Sequence, residues 1–535
     1  MNILDMSLEQ KIGQMFMCGF ATEVPNEHAQ NLIKDYHVGG IIYFRRNIKD
    51  VKQVADLSSS LQDIAANQGL PPLWISTDQE GGMVARIDVD GMSLIPGNMA
   101  LGAADNTDFT YKASQLNASQ LLSLGINMNL APVLDVNNNA KNPIIGVRSF
   151  GERAEKVSEH GEAVINAYQE QGLSAVAKHF PGHGDTDVDS HHGLAVVPHS
   201  ITRLKEIELK PFMKAIESGI DAIMTAHVIF SAIEPNEIPA TLSSAVLNDL
   251  LRVEMGFEGI IMTDCLEMHA ISRNIGIAEG AVQAVLAGAD CILVSHNLSC
   301  QVEAIDAVKE AVADGRISES IIDDSVRRIL DVKQRRLQQN DKLILEHNTV
   351  SDKSALTEIA CKSITLVKDE GQLPLKAEES LLVIWPEVSL ENQMDERWNR
   401  VLTLGKALQE HIPGLKEVKI CSEPTDVEID NVVSIAKGYS QIVMATYTSG
   451  SVLPEGQSVL ANRLLEQEHT RFVVASTRNP YDINEIENVP AYVCCYDTTP
   501  IMIESLASML MGLQEAEGSL PVTINDLYTV GYKKV

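Results

Sequence analysis

The sequence predicts an α/β protein in which an N-terminal (β/α)8 barrel of the TIM type is followed by a smaller αβα sandwich domain. Short β-rich apolar runs recur roughly every 30–50 residues through the first part of the chain, with helix-like segments between them, as in parallel βαβ units. After a polar stretch, strands and helices alternate again over a shorter segment. A doubly wound open sheet is the competing architecture for the first part.

The barrel strands are predicted from apolar runs too short for helices. They cover residues 40–44, 73–77, 126–130, 176–178, 222–225, 259–263 and 291–294. Segments 153–171 and 201–218 carry apolar residues at helical spacing and stop at a glycine, which is a common helix end. Residues 318–336 are predicted to form one long helix.

A polar segment, "QQNDKLILEHNTVSDKS", interrupts this rhythm and marks a domain boundary. We predict the barrel domain at residues 1–340, a linker at 341–355 and the C-terminal αβα domain at 356–535. In the second domain, predicted strands at 363–367, 381–385, 441–446, 471–475 and 492–495 alternate with helical segments such as 399–410 and 458–467.

Composition restricts the possible partners and the compartment. Of 535 residues, 42 are Lys or Arg and 73 are Asp or Glu, so the net charge of −31 argues against binding to nucleic acid or to an anionic membrane surface. No apolar run is long enough to span a membrane, and the N-terminus lacks the pattern of a signal peptide. The eight cysteines form no CxxC pair, which is typical of reduced thiols. We therefore predict a cytoplasmic protein.

One segment, "AVAKHFPGHGDTDVDSHHGL" at residues 175–194, begins as a strand and continues as a long polar loop. Loops after barrel strands hold the reactive groups of barrel enzymes, although a solvated polar loop is the simpler interpretation. Metal binding by His179 and His183 is a third interpretation, which the intervening Pro and Gly disfavour. Asp189 and His191 are more specific, because an Asp bonded to one ring nitrogen leaves the other nitrogen to act as acid or base.

Other polar residues follow predicted strands. Asp264 comes directly after strand 259–263, where it is either a reactive carboxylate or the N-cap of the next helix. Asp78 and Arg86 follow strand 73–77, Arg148 lies in the loop after strand 126–130, and His227 follows strand 222–225. Because parallel barrel strands end on one rim, we expect these side chains to share a polar basin, and we include His227 among the substrate-binding candidates.

Four motifs in order resemble glycoside hydrolase family 3, and in particular its β-N-acetylglucosaminidase branch. They are "TDQEGGMVARI", "NPIIGVRSFG", "KHFPGHGDTDVDSHHGL" and "TDCLEM". The opening "SLEQKIGQMFMCGF", the segment "VGGIIYFRRNI" and the later "SITLVKDEGQLPL" agree with the same family and with its second domain. The resemblance is strong over the first 340 residues and looser beyond them.

The resemblance implies a role for each matching position. Asp264 matches the family nucleophile, His191 the acid/base of this branch, and Asp189 its partner. The residues that match those holding a terminal N-acetylglucosamine (GlcNAc) are Asp78, Arg86, Arg148, Lys178 and His179. The neighbouring His192 competes with His191 only if the loop register shifts. No metal or other cofactor is implied.

The implied function is a retaining exo-β-N-acetylglucosaminidase that removes terminal GlcNAc from small muropeptide-derived or chitin-derived saccharides. The main alternative is a phosphorylase that releases GlcNAc-1-phosphate. Asp189 and His191 would serve that reaction equally well, with phosphate in place of water. A non-catalytic sugar-binding protein and a metal-dependent barrel hydrolase are further alternatives. Apart from the saccharide substrate, neither a nucleic-acid nor a membrane partner is expected.

Overall fold

The computed structural model describes residues 3–186, 195–337, 349–387, 401–467 and 471–534. Twelve strands precede residue 300 in the described part of the chain. They are β1 (Phe16–Cys18), β2 (Gly40–Tyr43), β3 (Trp74–Thr77), β4 (Gln79–Gly81), β5 (Val84–Ala85), β6 (Met128–Asn129), β7 (Ser174–Phe180), β8 (Ala195–Val197), β9 (Ala222–Thr225), β10 (Val228–Phe230), β11 (Ile260–Met262) and β12 (Ile292–Val294).

Eight of these strands form one parallel sheet in the order β11-β9-β7-β6-β3-β2-β1-β12. A parallel bridge between Met262 and Cys291 joins the two ends of the sheet and closes the ring. The predicted barrel is therefore confirmed. The remaining strands form two small additions at the rim, the antiparallel hairpin β4–β5 and the parallel pair β8–β10.

Helices connect the barrel strands. They are α1 (Leu8–Gln14), α2 (Glu27–Lys34), α3 (Val51–Asn67), α4 (Asn98–Ala104), α5 (Thr107–Ser123), α6 (Ala154–Glu170), α7 (Ile201–Glu206), α8 (Lys210–Glu217), α9 (His269–Ser272), α10 (Ile277–Ala287), α11 (Leu298–Ala313) and α12 (Glu319–Leu337), with a π-helix at Ala245–Glu254. Side-chain caps fix several starts, as where the Asp50 side chain accepts the Gln53 N–H at the start of α3.

The rim strands β4, β5, β8 and β10 were not predicted, and two further details of the barrel differ from the sequence prediction. The helix predicted at 201–218 is divided into α7 and α8, because Pro211 lies in the first turn of α8, where the missing proline N–H is tolerated. Strand β1 was not predicted. It is three residues long within an apolar stretch, where periodicity cannot separate a strand from a helix.

The C-terminal part contains a second, six-stranded sheet in the order β13-β18-β17-β16-β14-β15, parallel except for β13. Its strands are β13 (Thr365–Asp369), β14 (Leu381–Glu387), β15 (Lys416–Cys421), β16 (Gln441–Thr446), β17 (Arg471–Ser476) and β18 (Ala491–Cys494). Its helices are α13 (Thr349–Ser363), α14 (Leu404–Gln409), α15 (Asp426–Ala436), α16 (Glu455–Leu465) and α17 (Pro500–Leu510). The predicted sandwich is confirmed, and α13 begins inside the predicted linker.

Two further predictions bear on the compartment. None of the helices in the described ranges combines the length and the apolar composition needed to cross a bilayer. Each of the eight cysteines is a free thiol. The compartment itself stays a prediction.

Candidate active site

The C-terminal ends of the barrel strands bring several of the predicted site residues to one rim. Asp78 follows β3 directly, Lys178 and His179 lie near the end of β7, and Asp264 lies two residues after β11. Arg86 follows the hairpin β4–β5, which folds the chain back so that the Arg86 N–H donates to the Asp78 carbonyl oxygen at 3.3 Å. This rim is the usual place for catalysis in a (β/α)8 barrel.

A buried ion-pair cluster of Asp78, Glu80, Arg148 and Lys178 dominates this rim. The Arg148 guanidinium donates to both oxygens of Glu80, at 2.9 Å from Nε and 2.7 Å from Nη2. Lys178 Nζ lies 2.7 Å from Glu80 Oε1 and 2.7 Å from Asp78 Oδ1. Asp78 is the most accessible member, with a side chain 17% exposed against 1% for Glu80. Its Oδ1 accepts from Lys178, and its Oδ2 has no hydrogen-bond partner among the described residues.

The charges of this cluster stabilise one another. Burial alone would raise the pKa of the Glu80 carboxyl, but Arg148 and Lys178 hold that pKa well below its usual range. Burial likewise disfavours the charged form of Lys178, and Asp78 and Glu80 outweigh it, so the pKa of Lys178 is raised. Glu80, Arg148 and Lys178 are therefore charged at neutral pH.

A second buried carboxylate, Asp135, contacts the ring of His179 and the backbone of His183. Asp135 Oδ2 accepts a hydrogen bond from His179 Nδ1 at 2.7 Å, and Asp135 Oδ1 accepts the backbone N–H of His183 at 2.6 Å. The first bond fixes the His179 ring and leaves Nε2, which has no partner within the described ranges, for another group. Burial lowers the pKa of His183 to about 4, so this ring is neutral at pH 7.

Asp264 and His227 lie at the ends of neighbouring strands. Asp264 is partly exposed, and its Oδ1 accepts the N–H of Cys265 at 2.6 Å. His227 is buried, with Nδ1 2.8 Å from Thr241 Oγ1 and Nε2 donating to the Cys265 carbonyl oxygen at 3.0 Å. Both ring nitrogens of His227 thus bond to the protein, beside the segment that carries Asp264, and its direct contact with the substrate stays a prediction.

The predicted pair of Asp189 and His191 lies outside the described residues, in 187–194. The residues on either side of this segment are held together, because His199 Nε2 lies 2.6 Å from Asp185 Oδ2. On the N-terminal side of the segment, Asn142 Nδ2 donates to the carbonyl oxygens of His183 and Gly184 at 2.8 and 3.0 Å. On its C-terminal side, strand β8 pairs with β10. The segment thus joins two well-anchored ends.

The C-terminal domain supports the loops that carry the buried ion-pair cluster. Asp497 Oδ2 accepts the N–H of Gly97 at 2.7 Å, where Gly97 packs against Gly82 in the turn that follows Glu80. Asn137, at the start of the loop that leads to Arg148, donates from Nδ2 to the Tyr481 hydroxyl at 3.1 Å. Contacts from the second domain therefore reach both the β4–β5 hairpin and the Arg148 loop.

Comparison with known proteins identifies the family. Residues 7–332 match the Glycosyl hydrolase family 3 N terminal domain. The chain belongs to glycoside hydrolase family 3. A β-hexosaminidase A from Pseudoalteromonas piscicida is 30% identical over 94% of this chain and 92% of the relative. A family 3 β-N-acetylglucosaminidase from Paenibacillus sp. str. FPU-7 superposes with a TM-score of 0.92 at 45% identity, covering 98% of this chain and all of that one. A β-N-acetylglucosaminidase/β-glucosidase from Cellulomonas fimi is 28% identical over 97% of this chain and 94% of its own length.

The predicted family is confirmed, and the protein is a glycoside hydrolase. Two carboxylates of this candidate site were not predicted from the sequence, namely Glu80 and Asp135. A signal for Glu80 was present, since it lies two residues beyond Asp78 and alternate residues of an extended chain face the same side. Asp135 follows strand β6, as the other rim residues follow theirs, but nothing in its neighbourhood separates it from the surrounding asparagines.

Proposed function

We propose that the protein is a retaining exo-β-N-acetylglucosaminidase. The observation that supports it most is the buried ion-pair cluster, which offers the Asp78 carboxylate to a sugar hydroxyl beside the His179 ring and on the same rim as Asp264. Buried charged groups with fixed partners hold directional hydrogen bonds without reorganising when a sugar binds. The names of the relatives, β-hexosaminidase and β-N-acetylglucosaminidase, agree with GlcNAc as that sugar.

In the proposed reaction, an Asp264 oxygen attacks the anomeric carbon as the bond to the leaving oxygen breaks, and His191 gives its proton to that oxygen. The covalent glycosyl-enzyme is then opened by water, whose proton returns to His191. Two inversions give overall retention of configuration. Asp189 would hold the His191 ring and stabilise its charged form. An ordinary histidine pKa of about 6.5 suits both proton transfers near neutral pH.

For the substrates, we propose muropeptide-derived saccharides such as GlcNAc-anhydromuramic acid and GlcNAc-MurNAc, or chitobiose from chitin, cleaved in the cytoplasm as in peptidoglycan recycling. The experiment is product analysis on these three disaccharides, each with and without inorganic phosphate. Free GlcNAc, released first as the β-anomer and in equal amounts with and without phosphate, is the expected result. GlcNAc-1-phosphate formed only with phosphate would replace the hydrolase by a phosphorylase. An initial α-anomer would overturn retention.

The acid/base pair has its own test, with His192→Ala as the matched control for His191→Ala. A 4-nitrophenyl leaving group departs without protonation, so glycosylation in the His191→Ala and Asp189→Ala variants should suffer least on the aryl substrate and most on disaccharides. Deglycosylation still needs a base, so these variants should show a burst and azide should restore turnover. Equal losses on all substrates, or the same pattern in His192→Ala, would move the role elsewhere.

A further inference from the structure

One sector of the barrel rim carries polar and aromatic side chains that the proposed mechanism does not use. Phe44 follows β2 directly, and His296 lies two residues after β12. Their rings are 4.9 Å apart, and the guanidinium of Arg46 lies 4.5 Å above the centre of the Phe44 ring. We call Phe44, Arg46 and His296 the β2–β12 cluster. All three side chains are partly exposed.

Arg46 holds this cluster in place. Its Nε donates to the Phe20 carbonyl oxygen at 2.8 Å and its Nη2 to the Ser295 carbonyl oxygen at 2.9 Å, which ties the loops after β1 and β12 together. Its Nη1 lies 2.8 Å from His296 Nδ1. A guanidinium can only donate, so His296 Nδ1 accepts this bond.

This bond fixes the proton of His296. A neutral imidazole carries one proton, and with Nδ1 accepting, that proton is on Nε2. Burial and the neighbouring Arg46 charge lower the pKa of His296 and keep the ring neutral. The Nε2–H group has no hydrogen-bond acceptor in the part of the chain that the structure describes. It is therefore an oriented donor without a protein partner.

The position of the cluster points to the substrate. The ring of strands runs β3-β2-β1-β12 and closes on β11, so the cluster lies between the strand that carries Asp78 and the strand that carries Asp264. The Leu266 N–H donates to the Leu293 carbonyl oxygen at 3.0 Å, which joins the segment after Asp264 to β12. The Cys265 sulfur and a His296 ring nitrogen lie within 4.8 Å of each other.

The same neighbourhood could be taken for a cation site, because Cys265, Glu267 and His296 bring possible ligand atoms within 4.8 Å. The hydrogen bonds argue against it. Arg46 occupies the Nδ1 lone pair of His296 and adds a positive charge. Glu267 already accepts the backbone N–H groups of His296 at 2.6 Å and Asn297 at 3.1 Å. The atom left over is a donor, which suits an oxygen acceptor and not a metal ion.

We propose that His296 is a substrate-binding residue that donates from Nε2 to a hydroxyl oxygen of the saccharide. The inference rests on the proposed function for the kind of substrate and on the β2–β12 cluster for the residue. The hydroxyl belongs either to the terminal GlcNAc or to the leaving sugar, and substrates with and without a leaving sugar distinguish the two.

The test compares two amide variants that differ by one methylene. His296→Asn keeps an oxygen near the Nδ1 position for Arg46 but has no N–H group at the Nε2 position, whereas His296→Gln reaches that position. We expect His296→Asn to lose roughly 3- to 10-fold in kcat/KM, as for one hydrogen bond, and His296→Gln to lose less. His411→Asn, in the C-terminal domain, is the control, and thermal midpoints verify folding.

The substrates are chitobiose and 4-nitrophenyl β-GlcNAc, which has no leaving sugar. Loss on both places the hydroxyl on GlcNAc, and loss on chitobiose alone places it on the leaving sugar. Wild-type efficiency of His296→Asn on both substrates, or equal losses in the Asn and Gln variants, would overturn the inference. A wild-type enzyme inactive on both substrates would instead overturn the proposed function, and the variants would then be compared on whichever β-glycoside it cleaves.

Discussion

Glu80 offers the sharpest test of the buried ion-pair cluster. Its carboxylate is the shared partner of Arg148 and Lys178, with three contacts between 2.7 and 2.9 Å. The substitution Glu80→Gln keeps the size and shape of the side chain but removes its charge. It also turns an amide NH2 group toward one of two cationic donors. Arg148 then has no carboxylate partner in the cluster, and Lys178 keeps only Asp78.

The size of the effect follows from burial. Glu80 is 1% exposed and Arg148 is 9% exposed. Removing one partner of such a buried pair leaves an uncompensated charge, which costs about 3–5 kcal/mol. The same change in an exposed pair costs about 0–1 kcal/mol. Glu279 provides the matched control, since it also holds an arginine with both oxygens, Arg316 at 2.7 and 3.2 Å, but its side chain is 43% exposed.

The measurements are the free energy of unfolding in urea and kcat/KM on 4-nitrophenyl β-GlcNAc. We expect Glu80→Gln to be destabilised by about 3–5 kcal/mol and to lose about 100-fold in kcat/KM, because displaced binding groups misplace the sugar. Glu279→Gln should stay within about 1 kcal/mol and keep its activity. If Glu80→Gln were no less stable than Glu279→Gln and as active as the wild type, the cluster would not hold the sugar site together.

Three further predictions concern other residues. Asp264→Ala should lose nearly all turnover with an unchanged thermal midpoint, and a fluorinated GlcNAc inhibitor should label an Asp264 peptide of the wild type; a label elsewhere contradicts the assignment. The hydrogen bond between His199 and Asp185 joins the residues on either side of segment 187–194, which carries Asp189 and His191. His199→Ala should therefore slow disaccharide cleavage more than His199→Gln, which keeps an N–H group for Asp185. Equal rates for the two variants would refute this. Burial lowers the pKa of His160 in the folded protein to about 4. As the pH drops from about 7 to 4, His160 is protonated in the unfolded chain but stays neutral in the folded one, so the free energy of unfolding falls over this range. At pH 5 the loss is about 2 kcal/mol, and His160→Gln, compared by urea unfolding at pH 7 and pH 5, should lack it; an unchanged slope would contradict the burial argument.

The barrel and its rim were predictable because a simple rule connects them to the sequence. A parallel barrel places the residue after each strand on one rim, so a correct strand assignment also locates its polar neighbour. This succeeded for Asp78, Lys178, His179 and Asp264, which all lie at or just beyond the C-terminal end of their strands. The rule gives the rim position, but it does not give the direction of the side chain. His227 satisfies it, yet both of its ring nitrogens bond to the protein.

The partners of these residues were not predictable in the same way. Glu80 and Arg148 are 68 positions apart, and His179 and Asp135 are 44 apart, so no local pattern links them. What makes these carboxylates important is burial, which tertiary packing decides. The support from the second domain depends even more on packing, since Gly97 and Asp497 are 400 positions apart.

The charge balance of the cluster also bears on the choice between water and phosphate. Asp78 and Glu80 carry two negative charges and Lys178 and Arg148 two positive ones, so the cluster is neutral, and each cation in it is bonded to a carboxylate. A neutral sugar hydroxyl fits such a cluster, because binding it adds no charge to a buried region. A phosphate dianion would need cations left over after this pairing, and the cluster has none. The cluster therefore supplies no spare cation, and a phosphorylase would have to draw its cations from outside the cluster.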